Sequence, residues 1–439
     1  MFKKIVKGIA IGTAALTLAA TAQAAEVNLN LYGASAQFTF WTAAAPNFLV
    51  SQGCQATDVY STIGNLEDRD AGIAVCAGTV VPAGSGALVA GSGFNNDGNT
   101  YYLRYTTRAS VDGIRAVTND PAYNPDGCTN DGDRRQADAL GASFANGSVG
   151  NGIATLSCQD VTIGASDVAA ATFGQITAGH EFGPNGGDVV TEHAVYPTDL
   201  MDPETMDFQV DRPIVVPFGF FANYDSAVEG TPGPNAVPFD NMTRLMAVSI
   251  FSGQVANWKE FTDDTSVDLP MVVCMRHAGS GTLATLDAAV MRGDAGLVGT
   301  EIPTEDFGVQ MGWGPAVYFN LGSSDAMKCV KALNGAVGYA DADKCVTNCA
   351  TKYKAKPMTY QGVAANSETI RKGLYDFWSA QWLYSDASGD VDALVDALAA
   401  FASDEVNLPA TKSAFWASQN AMKWEKGTDF AYPTVKPRF

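Results

Sequence analysis

The sequence predicts an α/β protein built from repeated strand–turn–helix junctions, and two observations carry that expectation. At four places a strand-like run, a glycine- or serine-containing turn and a helix-like segment follow one another. The chain has 439 residues, 46% of them hydrophobic, which is enough for two domains of ordinary size with sizeable cores.

The clearest junction spans 272–288. Val272, Val273, Cys274 and Met275 fit a buried strand, Gly279-Ser280-Gly281-Thr282 breaks it, and Leu283, Leu286 and Val290 recur at helical spacing. The first amides of a helix have no partner within it, and the aligned peptide dipoles add positive charge there. The two glycines let a ligand approach the backbone, while Ser280, Thr282 and the forked cation of Arg276 add donors. Together these make an anion site. The other junctions are 33–38 after VNLNLY, 105–110 before VDGIRAV, and 164–167 between DVTI and VAAATF. Four such turns can surround one small anion.

At these turns the chain resembles the periplasmic phosphate-binding proteins that feed ABC transporters. GASAQFT stands where that family has GAGATFP, GASD at 164–167 is unchanged, and RHAGSGT at 276–282 parallels R-x-D-G-S-G-T. IFSGQVANW (250–258) and NGAVGYADA (334–342) are similar to two further family segments, in the same order. The resemblance implies a type II periplasmic-binding-protein fold. That fold has two lobes, each a mixed, mostly parallel sheet flanked by helices, here with cysteine-bearing insertions in lobe 1. It implies a signal peptide over 1–24, lobe 1 over 25–212, lobe 2 over 213–373 and a return to lobe 1 over 374–439. By position it implies that phosphate, or a similar protonated oxyanion, is held by the Gln37 side chain, the Phe38 amide, Ser110, Asp167, Arg276, Ser280, Gly281 and Thr282. The cargo would pass to an ABC permease in the inner membrane, with no cofactor, metal or catalytic residue required.

Asp167 would set specificity. A carboxylate beside an anion is repulsive unless a proton lies between them; phosphate near neutral pH still carries one and sulfate does not. The simpler alternative makes Asp167, with Ser166, a cap of the following helix. Three departures from the family stand out: Gln37 replaces a threonine, Ala278 replaces an aspartate that would pair with the arginine, and Arg108 and Asp112 sit where glycine and serine are usual.

The formal charge of −20 argues against nucleic acid as a partner. Lys3, Lys4 and Lys7, the apolar stretch 9–20 and Ala22-Gln23-Ala24 form a secretory signal, and no cysteine follows it closely enough for lipid attachment. A periplasmic or secreted protein is expected. Its eight cysteines therefore predict disulfides, Cys54–Cys76 and Cys128–Cys158 closing two surface insertions; Cys274, Cys329, Cys345 and Cys349 leave their pairing open. Asp126, Asn130, Asp131 and Asp133 lack calcium-loop spacing, and His180, His193 and His277 are scattered. Two other functions compete. A hydrolase using Ser280 fails the G-x-S-x-G pattern, because Ala278 and Thr282 occupy the glycine positions. An extracellular structural or adhesive protein would use the insertions and leave the cleft idle.

Overall fold

A computed structural model describes residues 25–67, 69–76, 79–80, 88–89, 99–140, 149–151, 153–174, 180–181, 199–292, 314–345, 348–386 and 391–437. The leader, most of the glycine-rich stretch between Cys76 and Asn99, and His193 lie outside them.

Lobe 1 is organised on β1 (Glu26–Ala34), where alternation sets the faces: Leu29 and Leu31 enter the main core, while Asn30 bonds on the other side to the Asp160 carbonyl at 2.8 Å. A 3-10 turn leads into α1 (Phe38–Ser51). The hairpin β2 (Val59–Leu66) and β3 (Arg69–Cys76) is followed by β4 (Thr100–Arg108) and α2 (Ser110–Val117). A ribbon, β5 (Asp133–Leu140) and β6 (Ile153–Asp160), precedes β7 (Ile163–Ser166) and β8 (Gln209–Asp211). β1 lies between β4 and β7, parallel to both; β3 runs antiparallel to β4 and to β2.

Both expected lobe 1 bridges form, Cys54–Cys76 and Cys128–Cys158. The first does not close a surface insertion, however. β2 and β3 are members of the main sheet, and Ile73, Ala74, Val75 and Cys76 are buried in it. The apolar run GIAVC carries enough burial to extend the sheet rather than decorate it. Asp126 accepts from Arg69 at 2.5 Å and from the Arg135 amide at 2.7 Å, so it ties the second insertion to β3.

Lobe 2 opens with β9 (Ile214–Asn223), buried along its whole length. It then adds β10 (Val272–Arg276), α3 (Gly281–Thr285, continuing as a π-helix to Met291), β11 (Ala316–Asn320), α4 (Ser323–Ala332), β12 (Ala336–Asp341) and β13 (Ala355–Tyr360). β10 is parallel to β11 and β12, and β9 is antiparallel to β12 and β13. The return runs through β14 (Trp378–Ala380), paired with the first half of β9, into β15 (Trp382–Ser385), paired with β7. Two strands in succession, each paired at the junction, thus join the lobes. α5 (Asp392–Ala402) then packs on α1, with Phe401 and Phe48 rings 5.7 Å apart. The C-terminal segment touches both lobes: Asp429 accepts from the Ala169 amide, and the Tyr432 ring lies 3.5 Å from the Arg292 guanidinium.

The remaining cysteines pair as Cys274–Cys329 and Cys345–Cys349. Cys274–Cys329 clamps β10 to α4 across 55 residues of chain. On chain-entropy grounds its removal by a Cys274→Ala/Cys329→Ala double substitution costs about 4 kcal/mol. Chemical denaturation should show that loss; an unchanged midpoint would refute it.

Candidate functional site

Parallel pairing brings the turns to one edge of each sheet. Gly33 is level with Thr107 on β4 and with Ala165 on β7, so β1, β4 and β7 end together. In lobe 2, Arg276 is level with Asn320, and β12 ends nearby at Asp341. Gly33 and Gly113 let α2 lie directly on this edge: a Cβ on Gly33, at φ +131°, would meet the Ala165 carbonyl at 2.2 Å and Gly113 Cα at 2.8 Å. That contact sets Ser110 beside Asp167, whose amide donates to Ser110 Oγ at 3.2 Å.

The lobes touch at these turns. The Val111 amide donates to the Gly279 carbonyl at 3.2 Å. A Cβ on Gly281 would lie 2.4 Å from Ser110 Oγ and 2.5 Å from Asp167 Cβ. Ser110, Asp167, Arg276, Ser280 and Thr282 are all at most 3% exposed. Ser280 caps α3, its hydroxyl accepting from the Leu283 amide at 3.4 Å. The amides of Gly281 and Thr282 open the helix and have no carbonyl within it to meet.

Arg276 is held by neutral acceptors. Nε donates to the Asn320 carbonyl at 3.2 Å, Nη1 to Ser323 Oγ at 2.8 Å and Nη2 to the Leu321 carbonyl at 2.7 Å. That uses three of the five N–H groups of a guanidinium. With no aspartate at position 278, burial pushes the Arg276 guanidinium below its ordinary range, opposed through space by Tyr339, Asp341, Asp167 and Asp325. Burial pushes the Asp167 carboxyl up to about 7, helped by Asp341 and opposed by Arg276, Ser110 and Gln381; its Oδ1 has no hydrogen-bond partner among the described residues.

The sign of the resulting pH dependence is fixed. The native state keeps a proton on Asp167 that the unfolded chain releases near the ordinary carboxyl value of 3.8. The ligand-free protein therefore loses stability as pH rises from about 4 to about 7, by roughly 4 kcal/mol from this group, and the contribution is flat above. Asp167→Asn should flatten denaturation free energies in that window; an unchanged slope would contradict the buried environment.

Two expected donors are engaged elsewhere. Gln37 was expected to donate to the ligand. Its Nε2 instead donates to the Ser166 carbonyl at 3.0 Å and to the Trp382 carbonyl at 3.4 Å, and its Oε1 accepts from Trp41. The longer side chain reaches past the turn and ties β7 and β15 together. The Phe38 amide donates to the Ser35 carbonyl, closing the 3-10 turn. The helix expected after GASD is a single 3-10 turn, Ala170–Thr172. The Ala169 and Ala170 amides bond to Asp429 and to the Tyr384 hydroxyl, so Asp167 does not cap an α-helix.

Beside the buried turns lies a cleft of about 850 Å³. Ala36, Arg108 and Ala109 line it from lobe 1, and His277, Ser323 and Asp341 from lobe 2. Asn320, Ser323 and Asp341 were not singled out from the sequence. A signal existed: FNLGSSD at 319–325 is a fifth strand–glycine/serine–helix junction.

Residues 224–405 match a family model described as the PBP superfamily domain. Around that stretch the described strands form two large mixed sheets, one in each lobe. Among solved structures, the chain is similar to a putative phosphate ABC transporter substrate-binding protein with bound phosphate from Clostridium perfringens, at 11% identity and a TM-score of 0.44, covering 84% of this chain and 92% of that one. It is also similar to PstS from Borrelia burgdorferi, at 9% identity, TM-score 0.37, and 85% and 92% coverage. A phosphate-binding protein from Stenotrophomonas maltophilia aligns at 11% identity, TM-score 0.40, and 84% and 80% coverage.

Proposed function

We propose that this protein is an extracytoplasmic solute-binding protein that captures phosphate and delivers it to an ABC permease. One observation carries the reading: Asp167, buried with an unpartnered oxygen, stands across the lobe contact from the first amides of α3 and within the field of Arg276. An anion there meets the amides of Gly281 and Thr282, the remaining N–H groups of Arg276 and the Ser110 hydroxyl. Only an oxyanion that shares a proton with Asp167 avoids facing a bare carboxylate. The lobes close about it as a hinged clamp, and opening releases it to the permease. Arg108, Lys344, Lys352 and Lys412 line the cleft together with Asp70, Asp325, Asp341 and Asp343, so its wall is of mixed charge despite the overall negative charge.

The reading describes a binding protein and assigns no catalytic group. Isothermal titration with phosphate and sulfate tests it. Saturable phosphate binding with sulfate at least about a hundredfold weaker is expected. Absence of heat with either ion, for protein stripped by unfolding and refolding, would sink it.

A further inference from the structure

The cleft is larger than an inorganic anion needs. Around Ser110, Asp167 and Gly281 the lobes are already in contact, and the Val111–Gly279 hydrogen bond crosses between them. The adjoining cleft of about 850 Å³ falls in the range of organic-ligand pockets, roughly 300–1,000 Å³. The cleft adjoins the anion site directly. Leu321 and Ser323, which hold the Arg276 guanidinium, are part of its wall, as are Arg108 and Ala109 immediately before Ser110.

The wall also contains a polar group waiting for a donor. Asp341, at the end of β12, is 8% exposed and lines the cleft, and its Oδ1 has no hydrogen-bond partner among the described residues. A buried acceptor left unmet costs about 1–3 kcal/mol. A second anionic group on a ligand would be repelled by Asp341 and by Asp70 on the opposite lobe. An ammonium group would meet Arg108, Lys344 and Lys352 in the same cleft. Hydroxyl groups suit both sets, since they donate to the carboxylates and accept from the cations.

We infer that the physiological cargo is a phosphate monoester of a polyhydroxy compound, with its phosphoryl group at the four turns and its hydroxyl-bearing part in the cleft against Asp341. The inference rests on the oxyanion reading above and names the substrate class of that same site. The phosphoryl group keeps the contacts with Arg276, Ser110 and the α3 amides. One ester oxygen leads out past Ser323 and Arg108, and no bond is made or broken.

Calorimetric titration with orthophosphate, glycerol phosphate and a hexose 6-phosphate, side by side, tests it. The hexose phosphate is expected to bind at least about tenfold more tightly than orthophosphate, with glycerol phosphate between them. Asp341→Asn should weaken the hexose phosphate about tenfold and orthophosphate less than about threefold. Asp70→Asn, at an exposed carboxylate of the same cleft, should weaken only the esters and covers the case in which the buried substitution unfolds the protein. Orthophosphate binding with ester binding equal or weaker overturns the inference and leaves the oxyanion reading intact. Binding of none of the three overturns both.

Discussion

Gly281→Ala is expected to abolish oxyanion binding while leaving the protein folded. The added methyl would sit 2.4 Å from Ser110 Oγ, 2.5 Å from Asp167 Cβ and 2.7 Å from Asp167 Oδ2, all in the opposite lobe. Ser110 and Asp167 are fixed by the packing of α2 on β1 and β7, so neither can retreat far. The lobes must part instead. Parting pulls the α3 amides and Arg276 away from the lobe 1 groups that share the anion with them. A loss of at least about a hundredfold in affinity, about 3 kcal/mol, follows. Gly281 does not occupy the left-handed region, and alanine favours a helix over glycine by about 1 kcal/mol. Melting without ligand should therefore stay where it was, and the ligand-induced rise in Tm should vanish. A variant that still shows the full ligand-induced rise would mean that lobe contact at Gly281 plays no part in binding.

Asp167→Asn should collapse discrimination between phosphate and sulfate. In the wild-type chain the ionised carboxylate can only accept, so sulfate leaves it facing another acceptor. The amide of asparagine both accepts and donates. It keeps a partner for the phosphate hydroxyl and gains one for a sulfate oxygen. A narrowing of the affinity ratio by about a hundredfold, about 3 kcal/mol, is expected. The same logic predicts pH dependence in the unmutated protein. With Asp167 pushed up to about 7, it is a donor below that pH and an acceptor above it. Sulfate should compete better at pH 5.5 than at pH 8.5 in the wild type, and equally at both in Asp167→Asn. A ratio unaffected by either change would remove Asp167 from the specificity argument.

Much of this site was legible in the chain because its elements are local. A strand, a glycine turn and a helix start within a dozen residues tell where amides point, and 272–288 does so without help from anything distant. Cysteines 22 and 30 residues apart pair as their short separation suggests, although the segment between the first two is a hairpin of the main sheet rather than a surface insertion. Gln37 shows where local reading stops. Its turn was recognised, but its side chain bonds to carbonyls 129 and 345 residues away, and no pattern near it signals that. The segment after GASD has helix-forming residues, yet Asp429 and Tyr384 take the amides that would open the helix.

The sequence by itself determined the α/β class, the positions of the four turns and the chemistry of their residues, since hydrophobic period, glycine placement and side-chain type are properties of short segments. Only the tertiary structure decided which donors remain available and how far the carboxyl of Asp167 is displaced from its ordinary range. Both depend on burial and on partners brought in by β7, β12 and the returning strand β15. Those long-range contacts make an unpaired oxygen costly, and the filter role proposed for Asp167 rests on that cost.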